Sequence, residues 1–549
     1  MPQRRSLRSL VQLCQTARIA GSSGSLGRAS TLNRRHAIGL GSATIAASLL
    51  TLQAAQGQGT TTSTGTRIGI VGAGIAGLNA ALTLQDAGYA SIIFEASDRV
   101  GGRIHSNTTT WANDQVSEWC AELIDSDHVV MRGLADRFGL ELVDLAAAIP
   151  DGAEDTLYFF DQYYLKTDAN RDFLPVYDIM QEQLAAVGDV YQYDQYSSDA
   201  YALDNTSLAQ WVDQNVPGGS DSPLGRLIEV SFTEEDGRDA TELSALVCIS
   251  QLAEQADRSD FSYTGSSDQR YHTIGGNQRI PDAVAAHLTS AQPDCEIRHN
   301  WRLTGIARNA DGSVELSFAT REGLVQESFD HVILAIPFSV LRTIDYTLAG
   351  FDPLKVRAIT ELSYGTNAKL QLQFDSRFWR EHGAWPGIST GQILTDNGFQ
   401  NSWEVTLGQD GETGIINIFN GGAIGAAFQP EAPYTSSDES SLTGAYAEMF
   451  LEHLETIWPG ATDHYLGTAT LSYPTGDPHA LGSYPGYTVG QLTSFGGYEG
   501  VRQGVVHFAG DHCSIDYQGF MEGAATSGAA AAMEIIKDIS QGDGATPVA

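Results

Sequence analysis

The spacing of hydrophobic and polar residues changes several times along the chain, and each change marks an element. Residues 68–71 form a short, continuous apolar run, as a buried strand requires. Glycines 72, 74 and 77 follow it, then an Ala/Leu-rich helical pattern, then a second strand pattern over residues 91–94 that ends at Glu95. Residues 128–138 have helical spacing and are closed by Gly139. Residues 150–266 are rich in Asp, Tyr and Gln, show helical periodicity at 179–186 and 242–255, and carry little strand signal. They predict a mostly helical insertion. Gly275 and Gly276 then break the chain, and Pro281 predicts the start of an amphipathic helix. Alternation at 296–308 and 313–319, with Asp311-Gly312 between, predicts a hairpin, and 331–336 reads as a buried strand. Strand-like runs at 367–374, 414–419 and 467–473 predict a second sheet. Residues 505–533 predict a closing strand, a loop and an Ala-rich helix.

A Gly-x-Gly-x-x-Gly pattern alone is weak in a chain with 58 glycines. Here a strand precedes it, a helix follows it, and an acid stands 18 residues past Gly77. Gly72 permits a tight turn, Gly74 lets backbone approach a pyrophosphate, and Gly77, beside Ala76, lets helix pack on strand. The helix N-terminus faces the phosphate charge, and Glu95, followed by Ala96, accepts from ribose hydroxyls. The second glycine pair, Gly101-Gly102, brings the chain back toward the same diphosphate, where Arg103 supplies a cation.

The chain has 549 residues, too many for one core, so at least two domains are expected. Its net charge of −36 conceals an asymmetry: residues 1–60 hold seven arginines and no Lys, Asp or Glu, leaving 24 basic and 67 acidic residues in the rest. Such a body repels nucleic acid and anionic membranes and attracts cationic substrates. The same acidity equally serves the solubility of an exported protein. Arg34-Arg35 precede residues 37–55, an uncharged stretch ending in small residues near Ala54-Ala55. This resembles a twin-arginine export signal, with an organellar transit peptide as the alternative. Residues 56–65 read as a linker, and no later segment is expected to span a membrane. Cys14, Cys120, Cys248, Cys295 and Cys513 are scattered without metal-ligand spacing, so neither a metal site nor a disulfide framework is expected. Asn107 and Asn205 head glycosylation sequons, which matter only in a eukaryotic secretory setting.

Beyond the glycine loop, the run EASDRVGGR resembles the FAD fingerprint of the flavin amine oxidase superfamily, which includes monoamine, polyamine and L-amino-acid oxidases. Gly275-Gly276-Asn277 and the 332–337 run VILAIP are similar to that family's middle segment. The closing run matches its "AG(D/E)…G(Y/F)(M/I)EGA" pattern at Gly510, Asp511, Gly519, Phe520, Met521, Glu522, Gly523 and Ala524. The resemblance implies a discontinuous α/β plus α+β fold. A Rossmann-like, glutathione-reductase-like FAD-binding domain would come from 66–149, 267–345 and 501–540, after a targeting segment and linker at 1–57. The helical insertion at 150–266 and a mixed sheet at 346–500 would form the substrate domain. FAD contacts are implied for Gly72, Gly74, Ala76, Gly77, Glu95, Ala96, Gly101, Gly102, Arg103, Leu303, Gly510, Asp511, Gly519, Phe520 and Met521.

Alternation places Lys369, Gln371 and Gln373 on one strand face, opposite Leu370, Leu372 and Phe374. Read from the residues alone, Lys369 fits a solvated strand position. Phe378 and Trp379 follow it by nine and ten residues, as in the amine oxidases. By resemblance Lys369 holds a water against the flavin and assists its reaction with oxygen, and Tyr484 and Phe520 form an aromatic cage for the amine. Ser483 stands where covalent-flavin members have Cys, which implies FAD bound non-covalently. Leu123 stands where many L-amino-acid oxidases place a carboxylate-clamping Arg. Asp125 falls where some polyamine oxidases hold a substrate ammonium, or else caps the following helix. Cys120 replaces a glycine usual in this segment.

The implied activity is oxidation of a C–N bond of a primary or secondary amine to an imine, with imine hydrolysis and release of hydrogen peroxide. An L-amino-acid oxidase is the alternative; a flavin desaturase and a non-catalytic flavoprotein are weaker ones. The implied partners are a small-molecule amine or amino acid and molecular oxygen, with a homodimer left open.

Overall fold

The computed structural model describes residues 65–541 apart from residue 256. The arginine-rich leader, the 37–55 stretch, most of the linker and Cys14 lie outside the described residues.

Three stretches far apart in sequence meet in one five-stranded parallel sheet, ordered Val506–Phe508, His331–Leu334, Ile68–Val71, Ile92–Glu95, Glu296–His299. Ile68–Val71 and His331–Leu334 are buried at every position, as expected of central strands covered on both faces. The helix Ile75–Asp86 packs against the C-terminal helix Met521–Gln541. Gly528 permits this approach, since a Cβ there would collide with the Ala76 carbonyl oxygen. The 296–319 expectation resolves into the Glu296–His299 strand and the antiparallel pair Arg302–Arg308 and Val314–Thr320. Gly312 has φ +91° in the connecting turn, a conformation glycine adopts without strain.

An eight-stranded mixed sheet runs Tyr434–Ser436, Tyr465–Ser472, Ala368–Phe374, Gly414–Asn420, Asn401–Glu404, Ile388–Thr395, Ala153–Phe159, Gln162–Tyr163. It contains all three strands expected between 367 and 473. The helix Ser441–Ile457 buries Ala447, Phe450, Leu451, Leu454 and Ile457 in one cluster with Leu370, Leu372 and Phe374.

The 150–266 stretch is mostly helical, as expected, but it also contributes strands to the large sheet. It opens with Ala153–Phe159, which joins the large sheet by pairing in parallel with Ile388–Thr395. The sequence of that strand, AEDTLYF, is polar in its first half, so its period is weak and its strand character comes from the partner. Beyond it and the short edge strand Gln162–Tyr163 the stretch is helical, chiefly Lys166–Val187, Pro223–Asp236 and Ala245–Leu252. Pro175 lies inside the first of these and breaks the local helical signal. No helix among the described residues is long and apolar enough to cross a membrane. Of the sequons, Asn205 is exposed, whereas Asn107 is buried and accepts a bond from Thr110.

Candidate active site

One cavity of about 1250 Å³ runs from the first glycine loop to Lys369, Tyr484 and Phe520. That exceeds the roughly 300–1,000 Å³ of a site for one drug-sized ligand, and leaves room for a dinucleotide and a substrate.

At one end the glycines divide the work as their spacing suggests. Gly72 has φ +101°, and a Cβ there would strike the Ala335 carbonyl oxygen. A Cβ on Gly77 would collide with the Gly72 carbonyl oxygen, so Gly77 seats the helix on the turn without lining the cavity. Gly74 is different: it lines the cavity, and a Cβ there would meet no protein atom within 4 Å. The second glycine pair docks on the first. Gly101 N–H donates to the Ala73 carbonyl at 2.8 Å, and a Cβ on Gly102 would lie 3.3 Å from Gly74 Cα. Glu95 ends its strand at the cavity wall. Its carboxylate accepts from Ala73 N–H at 2.8 Å and from the Ser97 N–H and hydroxyl, each at 2.8 Å. Ala76, Ala96 and Leu303 line the same space.

Arg103 links this end to the C-terminal segment. Its Nη1 donates to the Ser483 carbonyl at 2.6 Å and to Asp511 Oδ2 at 3.0 Å, and its Nη2 donates to Asp511 Oδ1. Burial raises the pKa of Asp511, but the adjacent Arg103 charge, with His512, overrides this and holds the carboxyl well below the usual range. Gly510, Asp511, Gly519, Phe520 and Met521 all line the cavity. The Met521–Gln541 helix therefore opens there, and its first-turn N–H groups have no partners within the helix.

Lys369 is not solvated. It lies in the Ala368–Phe374 strand, with its side chain only 8% exposed. Its ammonium donates to the Cys120 carbonyl and to Glu122 Oε2, each at 2.6 Å, and lies 5.4 Å from the Trp403 ring centroid. Glu122 Oε1 in turn accepts from Trp403 Nε1 at 3.0 Å. Two of the three ammonium donors thus go to protein oxygens, leaving a third for a water. Gln371 and Gln373 share its face and bond to the 112–118 segment. The polar strand face is a seam between two parts of the chain, which explains why an alternating pattern that reads as exposed is buried. Cys120 acquires a role here: its carbonyl anchors Lys369, while its half-buried thiol donates to the Tyr434 hydroxyl.

Tyr484 and Phe520 both line the cavity, and the Tyr484 ring lies 3.7 Å from where a Gly519 Cβ would be. Burial pushes the Tyr484 hydroxyl well above the ordinary tyrosine range, so it is neutral. It donates to the Glu234 backbone carbonyl at 3.3 Å. Sequence reasoning missed what lies beyond. Glu234 and Glu235, at the end of the Pro223–Asp236 helix, line the cavity with Tyr263, Asn401 and Asp155. Glu234 is buried and accepts from Asn401 Nδ2 at 2.9 Å, and burial, with Glu235 nearby, pushes its carboxyl well up. The one visible signal was the acid run Glu234-Glu235-Asp236 closing a helical pattern.

Asp125 is placed otherwise than either sequence expectation. It is not among the cavity-lining residues. Its Oδ1 accepts from Gln269 N–H at 3.1 Å, and Oδ2 lies 3.6 Å from His128 Nε2. It does not cap the next helix either: His128 holds the N-cap position of Val129–Arg137. Glu522 serves that helix instead, accepting from Val130 and Met131 N–H at 2.8–3.1 Å. The turn at 125–128 directs Asp125 inward, behind Phe520, whose ring lies 5.3 Å from His128.

A family model described as flavin containing amine oxidoreductase matches residues 75–536. An L-amino-acid oxidase of Siganus canaliculatus is 27% identical over 518 residues, covering 88% of this chain and 87% of that protein. Polyamine oxidase 4 of Oryza sativa subsp. japonica is 25% identical, covering 86% and 88%. Among solved structures, wild-type putrescine oxidase bound to putrescine aligns with TM-score 0.70 at 21% identity, covering 86% of this chain and 99% of that one. Cyclohexylamine oxidase from Brevibacterium oxydans IH-35A aligns with TM-score 0.70 at 22% identity over the same shares.

Proposed function

The chain belongs to the flavin-containing amine oxidoreductases, and from that premise we propose that its substrate is an amine bearing a second cationic group, oxidised at the end nearer Lys369. The observation that carries this reading is the acidic wall of Glu234 and Glu235 just past Tyr484. Cations available to clamp an amino-acid carboxylate are scarce. Lys369 is held by Glu122, and Arg103 by Asp511. Arg99 donates to the Gly102 and Val100 carbonyls at the glycine end, and Leu123 occupies the expected clamp position.

The five-stranded sheet with its glycine turns is read as the Rossmann-like FAD domain, and the eight-stranded sheet with its helices as the substrate domain. Bound flavin supplies the two-electron acceptor. Gly72, Gly74, Gly101 and Gly102 would hold its diphosphate, Glu95 the ribose, Asp511 the ribitol chain, and the Met521 helix N-terminus the ring. Tyr484 and Phe520 orient the amine in its neutral form, whose nitrogen lone pair supports imine formation. The substrate gives up two electrons and two protons, water hydrolyses the imine, and oxygen leaves as hydrogen peroxide. Ser483 Oγ donates to Asn367 Oδ1 at 2.6 Å and offers no thiol for a flavin link. FAD is therefore expected in the supernatant after acid precipitation of the yellow protein; colour retained in the pellet would refute non-covalent binding.

Glu234→Gln tests the substrate class. Burial raises the Glu234 carboxyl in the free site, and a substrate cation seated beside it would draw it into its ionised form. Removing that charge-assisted contact of about 1.5–3 kcal/mol should raise KM for a diamine about 10–100-fold, with little change for a monoamine of equal chain length. A peroxide-coupled panel of diamines, polyamines, monoamines and L-amino acids supplies the comparison. An L-amino-acid substrate is the second reading, favoured by the similarity to the Siganus oxidase. Best turnover on amino acids, indifferent to Glu234→Gln, would establish it instead.

A further inference from the structure

The strands His331–Leu334 and Val506–Phe508 lie side by side in the parallel sheet, with Ile333 opposite His507. The C-terminal helix passes over them, and His331, His507 and Asp538 converge. One ligand atom from each lies within 4.8 Å of the others. Both imidazoles are buried, His507 fully and His331 to 8% exposure, with ring centroids 5.9 Å apart. His507 Nδ1 lies 2.7 Å from Glu534 Oε2. That contact places the proton on Nδ1 and leaves a lone pair on Nε2. Nε2 of His507 and Nδ1 of His331 are buried with no hydrogen-bond partner. Glu534 and Asp538 are four residues apart on the helix, so both carboxylates face the same way.

Two bare imidazole nitrogens beside a carboxylate, one ring held in a fixed tautomer by a second carboxylate, is the arrangement by which proteins orient metal-binding histidines. We propose that His331, His507 and Asp538 bind a divalent zinc ion, with Glu534 orienting His507 and water as fourth ligand. Two nitrogens, one carboxylate oxygen and a water suit tetrahedral zinc. Bonds of about 2.0–2.1 Å put tetrahedral ligands roughly 3.4 Å apart, so the cluster closes by about an ångström on binding. Asp538 makes this movement most easily, since it is only partly buried and lies near the helix end. Arg502 donates to Asp538 Oδ2 and is a neighbouring cation that the ion must tolerate; the carboxylate has a second oxygen for the metal.

The helix runs from Met521 at the cavity to Asp538 at this cluster, about 25 Å at 1.5 Å per residue. The ion would fasten the far end of the helix to the sheet that carries it. It would act on stability, with no contact to substrate. The ligands come from positions 331, 507 and 538, so no local spacing in the sequence marks the site.

The test uses untagged, flavin-loaded protein, stripped with EDTA and dialysed against zinc chloride or cobalt chloride. The expected result is one zinc per chain by elemental analysis, visible cobalt bands of a tetrahedral site, and a melting temperature several degrees higher with zinc than without. Peroxide production should be unchanged by the ion. Asp538→Asn, at a partly exposed position, should fold, keep its flavin and lose the zinc-dependent shift; His331→Gln should do the same. Absence of stoichiometric zinc in the parent protein overturns the proposal. So does zinc retained equally by Asp538→Asn and His331→Gln, which would place the ion elsewhere.

Discussion

Lys369→Met is expected to slow reoxidation of the enzyme by oxygen about 100–1000-fold, the usual cost of removing one preorganised electrostatic stabiliser. Anaerobic bleaching of the flavin by substrate should change by only a few fold. The asymmetry follows from where the charge sits. The ammonium lies on a rigid central strand of the large sheet, fixed by the Cys120 carbonyl and the Glu122 carboxylate at 2.6 Å each. It is therefore preorganised beside the cavity and does not have to reorganise when negative charge develops on oxygen. In the proposed reading amine binding depends instead on Tyr484, Phe520 and the Glu234 wall, none of which Lys369 is seen to touch.

The substitution has a second consequence that the experiment must separate. Methionine leaves the buried Glu122 carboxylate with Trp403 Nε1 as its remaining side-chain partner, and an uncompensated buried charge is destabilising. Lys369→Met with Glu122→Gln removes both charges. It should recover melting temperature while oxygen reactivity stays low. If the double variant regains both, Lys369 matters only as a counter-ion. If the single variant loses both half-reactions equally, or neither, Lys369 has no special part in the oxygen step.

The cofactor end was more legible in the sequence than the substrate end, for a physical reason. Phosphate binding is done by backbone, so it needs glycines at set local spacings: Gly72 and Gly77 serve the tight turn and the close helix packing expected of them, and Gly74, Gly101 and Gly102 lie together at the cavity wall. A substrate pocket is made by side chains converging from distant positions. Glu234 meets Asn401 only when the 150–266 stretch folds onto the large sheet, and Glu122 meets Lys369 and Trp403 only when the 112–122 segment does. Alternation correctly put Lys369 with Gln371 and Gln373, but period alone cannot distinguish a wet face from one sealed by another segment. Asp125 shows the converse failure: its place in a familiar motif suggested the cavity, while the turn before Val129 sends its carboxylate inward. Ala153–Phe159 escaped detection because its strand character resides in its partner, Ile388–Thr395.

Arg103→Ala should destabilise the protein by about 3–5 kcal/mol, the cost of stripping a buried carboxylate of its partner. Against a total of roughly 5–15 kcal/mol, that is enough to lower both melting temperature and flavin content sharply. Arg103 bonds to Asp511, which is 4% exposed, and to the Ser483 carbonyl, so one guanidinium ties three remote segments around the cofactor end. The pH dependence distinguishes this from a loss of simple packing. In the parent protein Asp511 has a folded pKa depressed below its unfolded value of about 3.9. Its stabilising contribution is therefore present above that pH and lost only as pH falls below it. Without Arg103, burial dominates and raises the pKa, so the variant loses stability as pH climbs above about 4. The gap in unfolding free energy between parent and variant should be wide at pH 7 and should narrow toward pH 4.5. A gap independent of pH would mean that lost packing, and not the stranded Asp511 charge, destabilises the variant. Arg103→Met with Asp511→Asn carries neither charge, and should recover part of the stability while still binding FAD poorly.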